Sequence, residues 1–213
     1  MLSTLTLATW LWTYSDPSLL DLHAQQLCPS ESEWLAGKDL ASKEERKVTR
    51  QRVADTCRRM GATVEACTVL DEVVVRESSG DACAVHVLGP DEYGLGPLGL
   101  NVGLHLPKWG EANRKVLHVP EVSAVITLRL YRRAIKRYKA RTWLDVNAVF
   151  AGRFHEIGRR TATGDDYVFC RRLQRRGIDC MNDPRKQLGT RLGNGPEPKQ
   201  GAFVARLLMR LHS

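Results

Sequence analysis

Several things are missing from this chain of 213 residues. No stretch is apolar over the roughly 20 residues that a membrane-spanning helix needs, so no integral membrane segment is expected. No Cys-x-x-Cys pair exists, which removes the usual zinc-ligand spacing, and neither a metal nor a cofactor is predicted. There is no internal repeat and no low-complexity tract. No recognised nucleic-acid motif is present, and the basic residues are not interleaved with aromatics, so a nucleic-acid partner is not expected.

What is present fits a globular chain. The hydrophobic fraction is 43%, ordinary for a packed core. Lys plus Arg is 32 against 24 for Asp plus Glu, giving a net charge of +8. That excess suits an anionic partner such as an acidic wall polymer, and equally suits plain solubility. Six cysteines stand at 28, 57, 67, 83, 170 and 180. Cys57 and Cys67 flank a turn at Gly61, and Cys170 and Cys180 flank a turn at Gly177. Two local disulfides plus Cys28 with Cys83 would use all six; six buried thiols would give the same sequence. An even count without metal spacing points to an exported protein. Residues 1–18 read as a signal peptide or a loose N-terminal arm, since an uncharged run lacks a basic n-region. Residues 19–213 read as a single domain, with a short apolar piece at 19–27.

The helix signals are clear. Ser42 and Glu45 form a capping box for a helix to about 60, stopped by Gly61. Thr63 caps the next, over 64–77. From 79 to 120 glycine and proline dominate, which predicts a functional loop or a short sheet. Pro120 opens a helix to about 138, apolar on most sides in its first half and so expected to be central. Thr142 caps a helix over 143–151. Thr163 with Asp166 is read as the cap of another helix, to about 176, closed by Gly177. A loop at 193–196 precedes a last helix over 199–211. The fold class is therefore mainly α with one irregular lobe.

The most telling stretch is Val73-Val74-Val75-Arg76-Glu77-Ser78-Ser79-Gly80. Helical spacing puts Glu77 at the edge of the stripe of Cys67, Leu70, Val73 and Val74. A carboxyl among apolar neighbours has its charged form disfavoured. That suits a group that must protonate a leaving oxygen near neutral pH. A helix-terminal glutamate that reaches water has the same spacing. His86, His105 and His118 have no carboxylate or cysteine at metal-ligand spacing and read as loop or core residues.

Glu77-Ser78, then Ala84-Val85-His86, then Gly94-Leu95-Gly96, resemble the lytic transglycosylase (SLT-type) family of the lysozyme-like superfamily. That family's pattern is Glu-Ser, Ala-Val-Ser and Gly-Leu-Met-Gln. Gly99-Leu100-Asn101 is a second alignment of the third step. Ala148-Val149-Phe150-Ala151-Gly152 resembles the family's Ala-Tyr-Asn-x-Gly, and Asp166-Tyr167-Val168 its Glu-Thr-x-x-Tyr-Val stretch. The likeness covers about 60–180. The chain departs from the pattern at His86, at the missing Met-Gln pair, and at Val149-Phe150.

The resemblance implies a lysozyme-like helical domain that acts as a monomer on peptidoglycan glycan strands, in the periplasm or outside the cell. It implies that Glu77 is the lone catalytic acid and base, cleaving the MurNAc-GlcNAc bond to a 1,6-anhydro product. Ser78, Tyr93, Gly94, Leu95, Phe150 and Tyr167 become the candidate substrate-binding residues; for Tyr93, Phe150 and Tyr167 core packing is the competing expectation, and for Phe150, on an apolar helix face with Trp143 and Val146, it is the favoured one. A hydrolytic muramidase of the same fold would need a second carboxylate, for which Asp81, Asp91 and Glu92 are candidates. A degenerate module that only binds peptidoglycan is the other alternative.

Overall fold

Three of the five α-helices among the described residues begin at a side-chain cap that the sequence supplies. In the computed structural model, which describes residue 28 and residues 41–89, 92–101 and 111–188, helix α1 spans Lys43–Arg59. The Ser42 hydroxyl accepts from the Glu45 amide, and the Glu45 carboxylate accepts from the Ser42 amide at 2.7 Å, so two amides that would lack helical partners are satisfied. Thr63 caps α2, Val64–Ser78, through the Ala66 amide, and Ser79 ends it in the left-handed conformation. The expectations placed on 1–18, 19–27, Asp91, His105 and 193–211 lie outside the described residues.

The Gly/Pro-rich stretch contains a sheet. Strands β1 (Val85–Gly89), β2 (Glu92–Leu95) and β3 (Leu100–Asn101) run antiparallel in that order. Val85 pairs with Leu95, and Leu95 in turn with Leu100. The register shifts between Val87 and Gly89. A tight turn joins β2 to β3, closed by the Gly99 amide on the Gly96 carbonyl at 3.1 Å. Gly96 has φ +74°, and a Cβ there would lie 1.9 Å from the Leu117 carbonyl oxygen. Only glycine lets the sheet approach the 3-10 turn Glu111–His118 this closely.

Helix α3, Pro120–Tyr138, is the centre of the molecule. Proline at its first position gives up an amide that would have had no helical partner anyway. Val122, Ala124, Val125 and Leu128 are fully buried, as the all-round apolar pattern requires. Farther along, Tyr131 and Ala134 remain inside while Lys136 and Arg137 face water. Arg52 on α1 grips Glu121 through two bonds of 2.7 and 2.8 Å, which fixes α1 across the start of α3. Helix α4, Trp143–Phe150, is buried along its whole length and carries a second capping box, Thr142 with Asp145.

Helix α5, Asp165–Arg175, corrects one expectation. Its N-cap is Gly164, with no side-chain cap bond. Thr163 and Asp166 have the spacing of a capping box, but Asp166 turns inward instead and is 2% exposed. Two donors from elsewhere in the fold, buried Asn147 and half-buried Arg153, satisfy its charge better than one exposed amide would.

Charge pairs and disulfides tie these elements together. Asp71 and Glu72 of α2 meet Arg50 of α1, Arg172 of α5 and Arg176 at the C-cap of α5 at 2.8 to 3.6 Å. The three disulfides are Cys57–Cys67, Cys170–Cys180 and Cys28–Cys83. They are compatible with an oxidising, extracellular or periplasmic setting. Among the described residues, no helix is long and apolar enough to cross a membrane.

Candidate active site

The last turn of α2 delivers Glu77 to the β2–β3 turn. Ser78 anchors the junction: its hydroxyl oxygen lies 2.9 Å from the Pro97 carbonyl and accepts from the Gly80 amide at 3.0 Å. Arg46 of α1 donates to the Ser78 carbonyl at 3.0 Å. The end of the helix and the glycine turn are thus held face to face.

Glu77 is half-buried, with its side chain 26% exposed. Its two oxygens have different surroundings. Oε1 accepts from Arg76 Nε at 2.8 Å and lies 2.6 Å from Arg76 Nη2. Oε2 makes no hydrogen bond among the described residues. It faces Gly99, where an added Cβ would sit 3.0 Å from it. The carboxylate therefore faces a cation on one side and bare backbone on the other, rather than the apolar wall that the helical stripe suggested.

Behind Arg76 lies a polar chain. Arg76 Nη1 donates to Asn147 Oδ1 at 2.8 Å. Asn147 Nδ2 donates to Asp166 Oδ1 at 2.6 Å, and Arg153 Nη2 donates to the same oxygen at 2.6 Å. The Arg76 guanidinium also lies 5.3 Å from the centre of the Phe169 ring. Tyr131, buried in α3, is close enough to feel both charges. Burial pushes its hydroxyl well above the usual tyrosine range, the Arg76 charge opposes this and the Glu77 charge adds to it.

The structure brings some of the sequence candidates together and disperses others. Glu77, Ser78 and the backbone running from Gly94 to Gly99 converge. The space a side chain at Gly94 would need is taken by the Gly99 carbonyl, 3.0 Å from its added Cβ. Tyr93 is half-buried and packs against the core edge. Leu95 and Phe150 are turned into the core, at 1% and 5% exposed, and Phe150 meets Tyr131 edge-on at 6.1 Å. Tyr167 is exposed on α5, where its hydroxyl accepts from Arg171 at 3.2 Å.

Two surface clefts lie elsewhere. One runs between α1 and α2 beside Arg50, Asp71 and Arg176; the other lies beside Tyr167 and the Cys170–Cys180 bridge. Neither is lined by Glu77, and in both the chemistry is that of paired or solvated side chains.

Sequence reasoning passed over Arg76 and Asn147. Asn147 could have been found: it is polar in an eight-residue helix with no exposed position, and a buried amide must have partners. No family model matches the chain, and no curated protein or solved structure matches it.

Proposed function

We propose that this chain is a peptidoglycan lytic transglycosylase in which Glu77 is the only acid and base. One observation carries the reading: Glu77 has one oxygen held by Arg76, and the other, without a hydrogen bond among the described residues, faces a residue with no side chain. A carboxyl arranged this way can give and take a proton at a single defined atom. In the first step Glu77 Oε2 gives its proton to the glycosidic oxygen as the bond to MurNAc C1 breaks. In the second, the carboxylate takes the proton of the C6 hydroxyl as that oxygen bonds to C1. The products are a GlcNAc end and a 1,6-anhydro-MurNAc end, and no water is consumed.

The surroundings of Asp81 favour this over hydrolysis. An inverting muramidase needs a second carboxylate to activate water. Asp81 is 2% exposed, accepts from the Cys83 amide at 2.7 Å and pairs with Arg46 at 3.8 Å. It is committed to the turn after α2. The three disulfides support a periplasmic or secreted enzyme.

A second reading has its own observation. Glu77 Oε1 is already paired with Arg76 at 2.8 Å, an ion pair that a non-cutting, peptidoglycan-binding module would keep for structure alone. Digesting purified cell wall and weighing the released fragments decides between the readings. Anhydro ends from wild type and none from Glu77→Gln are expected. Reducing ends would mean a hydrolase. Wall binding without release, unchanged in Glu77→Gln, would mean a binding module.

A further inference from the structure

We infer that Asn147 and Asp166 are positioning residues for Glu77 and act on it through Arg76. The inference rests on the reading of Glu77 as the reacting group.

The direction of the relay follows from donor and acceptor chemistry. A carboxylate only accepts and a guanidinium only donates. Asp166 therefore requires the nitrogen of the Asn147 amide, and Arg76 requires its oxygen. Both requirements are met at once, at 2.6 and 2.8 Å. The amide has one orientation that satisfies both neighbours, and flipping it would break both bonds. Asp166 is itself fixed by Arg153, which also pairs with Glu156 at 3.2 Å.

Arg76 is thus held from three sides. Nη1 goes to Asn147, Nε and Nη2 go to Glu77 Oε1, and the face of the group lies over Phe169. A planar fork used this way cannot turn without losing bonds. Its fixed position decides which oxygen of Glu77 is occupied and which faces Gly99.

The relay has a second consequence. Glu77 must pass between charged and neutral forms in the proposed reaction. When it is neutral, its hold on Arg76 weakens. Asn147, oriented by the acceptor oxygen at 166, keeps the guanidinium in place through that change. Without the relay Arg76 would swing toward water each time Glu77 took up a proton, and the carboxyl would lose its orientation for the second step.

The test has two readouts. The first is hydrogen exchange of the Arg76 side-chain Nε–H, followed by nitrogen-15 NMR, in wild type, Glu77→Gln, Asn147→Ala and Asp166→Asn. Slow exchange is expected in wild type, Glu77→Gln and Asp166→Asn, since an asparagine at 166 still offers an acceptor oxygen. Exchange at least about 10-fold faster is expected in Asn147→Ala. The second readout is release of wall fragments. Asn147→Ala should lower kcat about 10- to 100-fold, the scale of a misplaced reacting group, with KM within about 3-fold of wild type. If Asn147→Ala does not fold, Arg76→Lys replaces it. An ammonium is a single point charge and cannot hold Asn147 and Glu77 together, so the same fall in kcat is expected. Unchanged exchange in folded Asn147→Ala, or unchanged kcat in either variant, overturns the inference. Cleavage that survives Glu77→Gln, or a wild type that cuts no wall, overturns the reading of Glu77 and the inference with it. Those results are told apart because they appear in Glu77→Gln or in wild type.

Discussion

Arg76 and Glu77 are consecutive residues of one helix, yet their side chains form an ion pair at 2.6 Å. Successive helical residues point about 100° apart and do not ordinarily meet. They meet here because the helix stops at Ser78, which leaves Glu77 no following turn to pack on. Arg76 in turn is drawn sideways by Asn147 and Phe169. The pair is a product of where the helix ends.

That closeness makes Gly99 a sensitive position. It has φ +58°, and an added Cβ would lie 3.0 Å from Glu77 Oε2 and 3.3 Å from Glu77 Cβ. Gly99→Ala combines left-handed strain with a push on the carboxyl. Wall-fragment release should fall at least about 10-fold, and urea unfolding should show a loss of about 1–3 kcal/mol. A variant with wild-type release would mean that nothing reacts between Gly99 and Glu77.

The acid cluster on α2 predicts how stability varies with pH. Burial by itself raises the Asp71 carboxyl, but hydrogen bonds from Arg50 and Arg176 outweigh it and hold the group below its ordinary range. A carboxyl lowered in the folded state contributes stability above its unfolded pKa, about 4, and loses it as pH falls through the lower folded value. Wild type should therefore lose stability steadily below about pH 4. Asp71→Asn should start less stable at pH 7 and show a shallower fall in that window. Urea midpoints measured from pH 7 to pH 2 check both statements.

The disulfides should differ in worth. Cys28–Cys83 spans 55 residues, and Cys57–Cys67 and Cys170–Cys180 span 10 each. Loop-closure entropy makes the long bridge worth about 4 kcal/mol and each short one about 3. Replacing Cys28 and Cys83 together by serine should lower the unfolding free energy more than replacing Cys57 and Cys67. Denaturant unfolding of the two double variants ranks them, and the reverse order would show that the short bridge carries packing as well as closure.

Local signals account for most of what could be read ahead of the structure. Ser42 with Glu45, Thr63 and Thr142 start helices where their side chains can reach an open amide, and that chemistry needs no tertiary information. The cysteine pairs across Gly61 and Gly177 were legible for the same reason. The sheet was legible only as one of two alternatives for 79–120, because β3 is two residues long and β2 contains Gly94, so neither strand has room to alternate. Thr163 and Asp166 show the limit of spacing as a guide: the same pattern serves a cap or an inward carboxylate, and Asn147 and Arg153 decided it. Glu77 was singled out by the resemblance that Glu77-Ser78 and the motifs after it carry, since the end of an apolar stripe suits a glutamate that reaches water just as well. Arg76 was not, because no pattern marks a side chain whose partners lie 71 and 1 residues away.

The bridge between Cys28 and Cys83 also changes how the molecule bears load. It closes a covalent ring that contains all of α1 and α2, and Glu77 with them. Tension applied to the chain ahead of residue 28 crosses to Cys83 through sulfur and continues toward β1, leaving the two helices slack. A protease cut anywhere in 29–40 leaves both pieces joined. A protein pulled or nicked from its N-terminal side would keep Glu77 against Gly99.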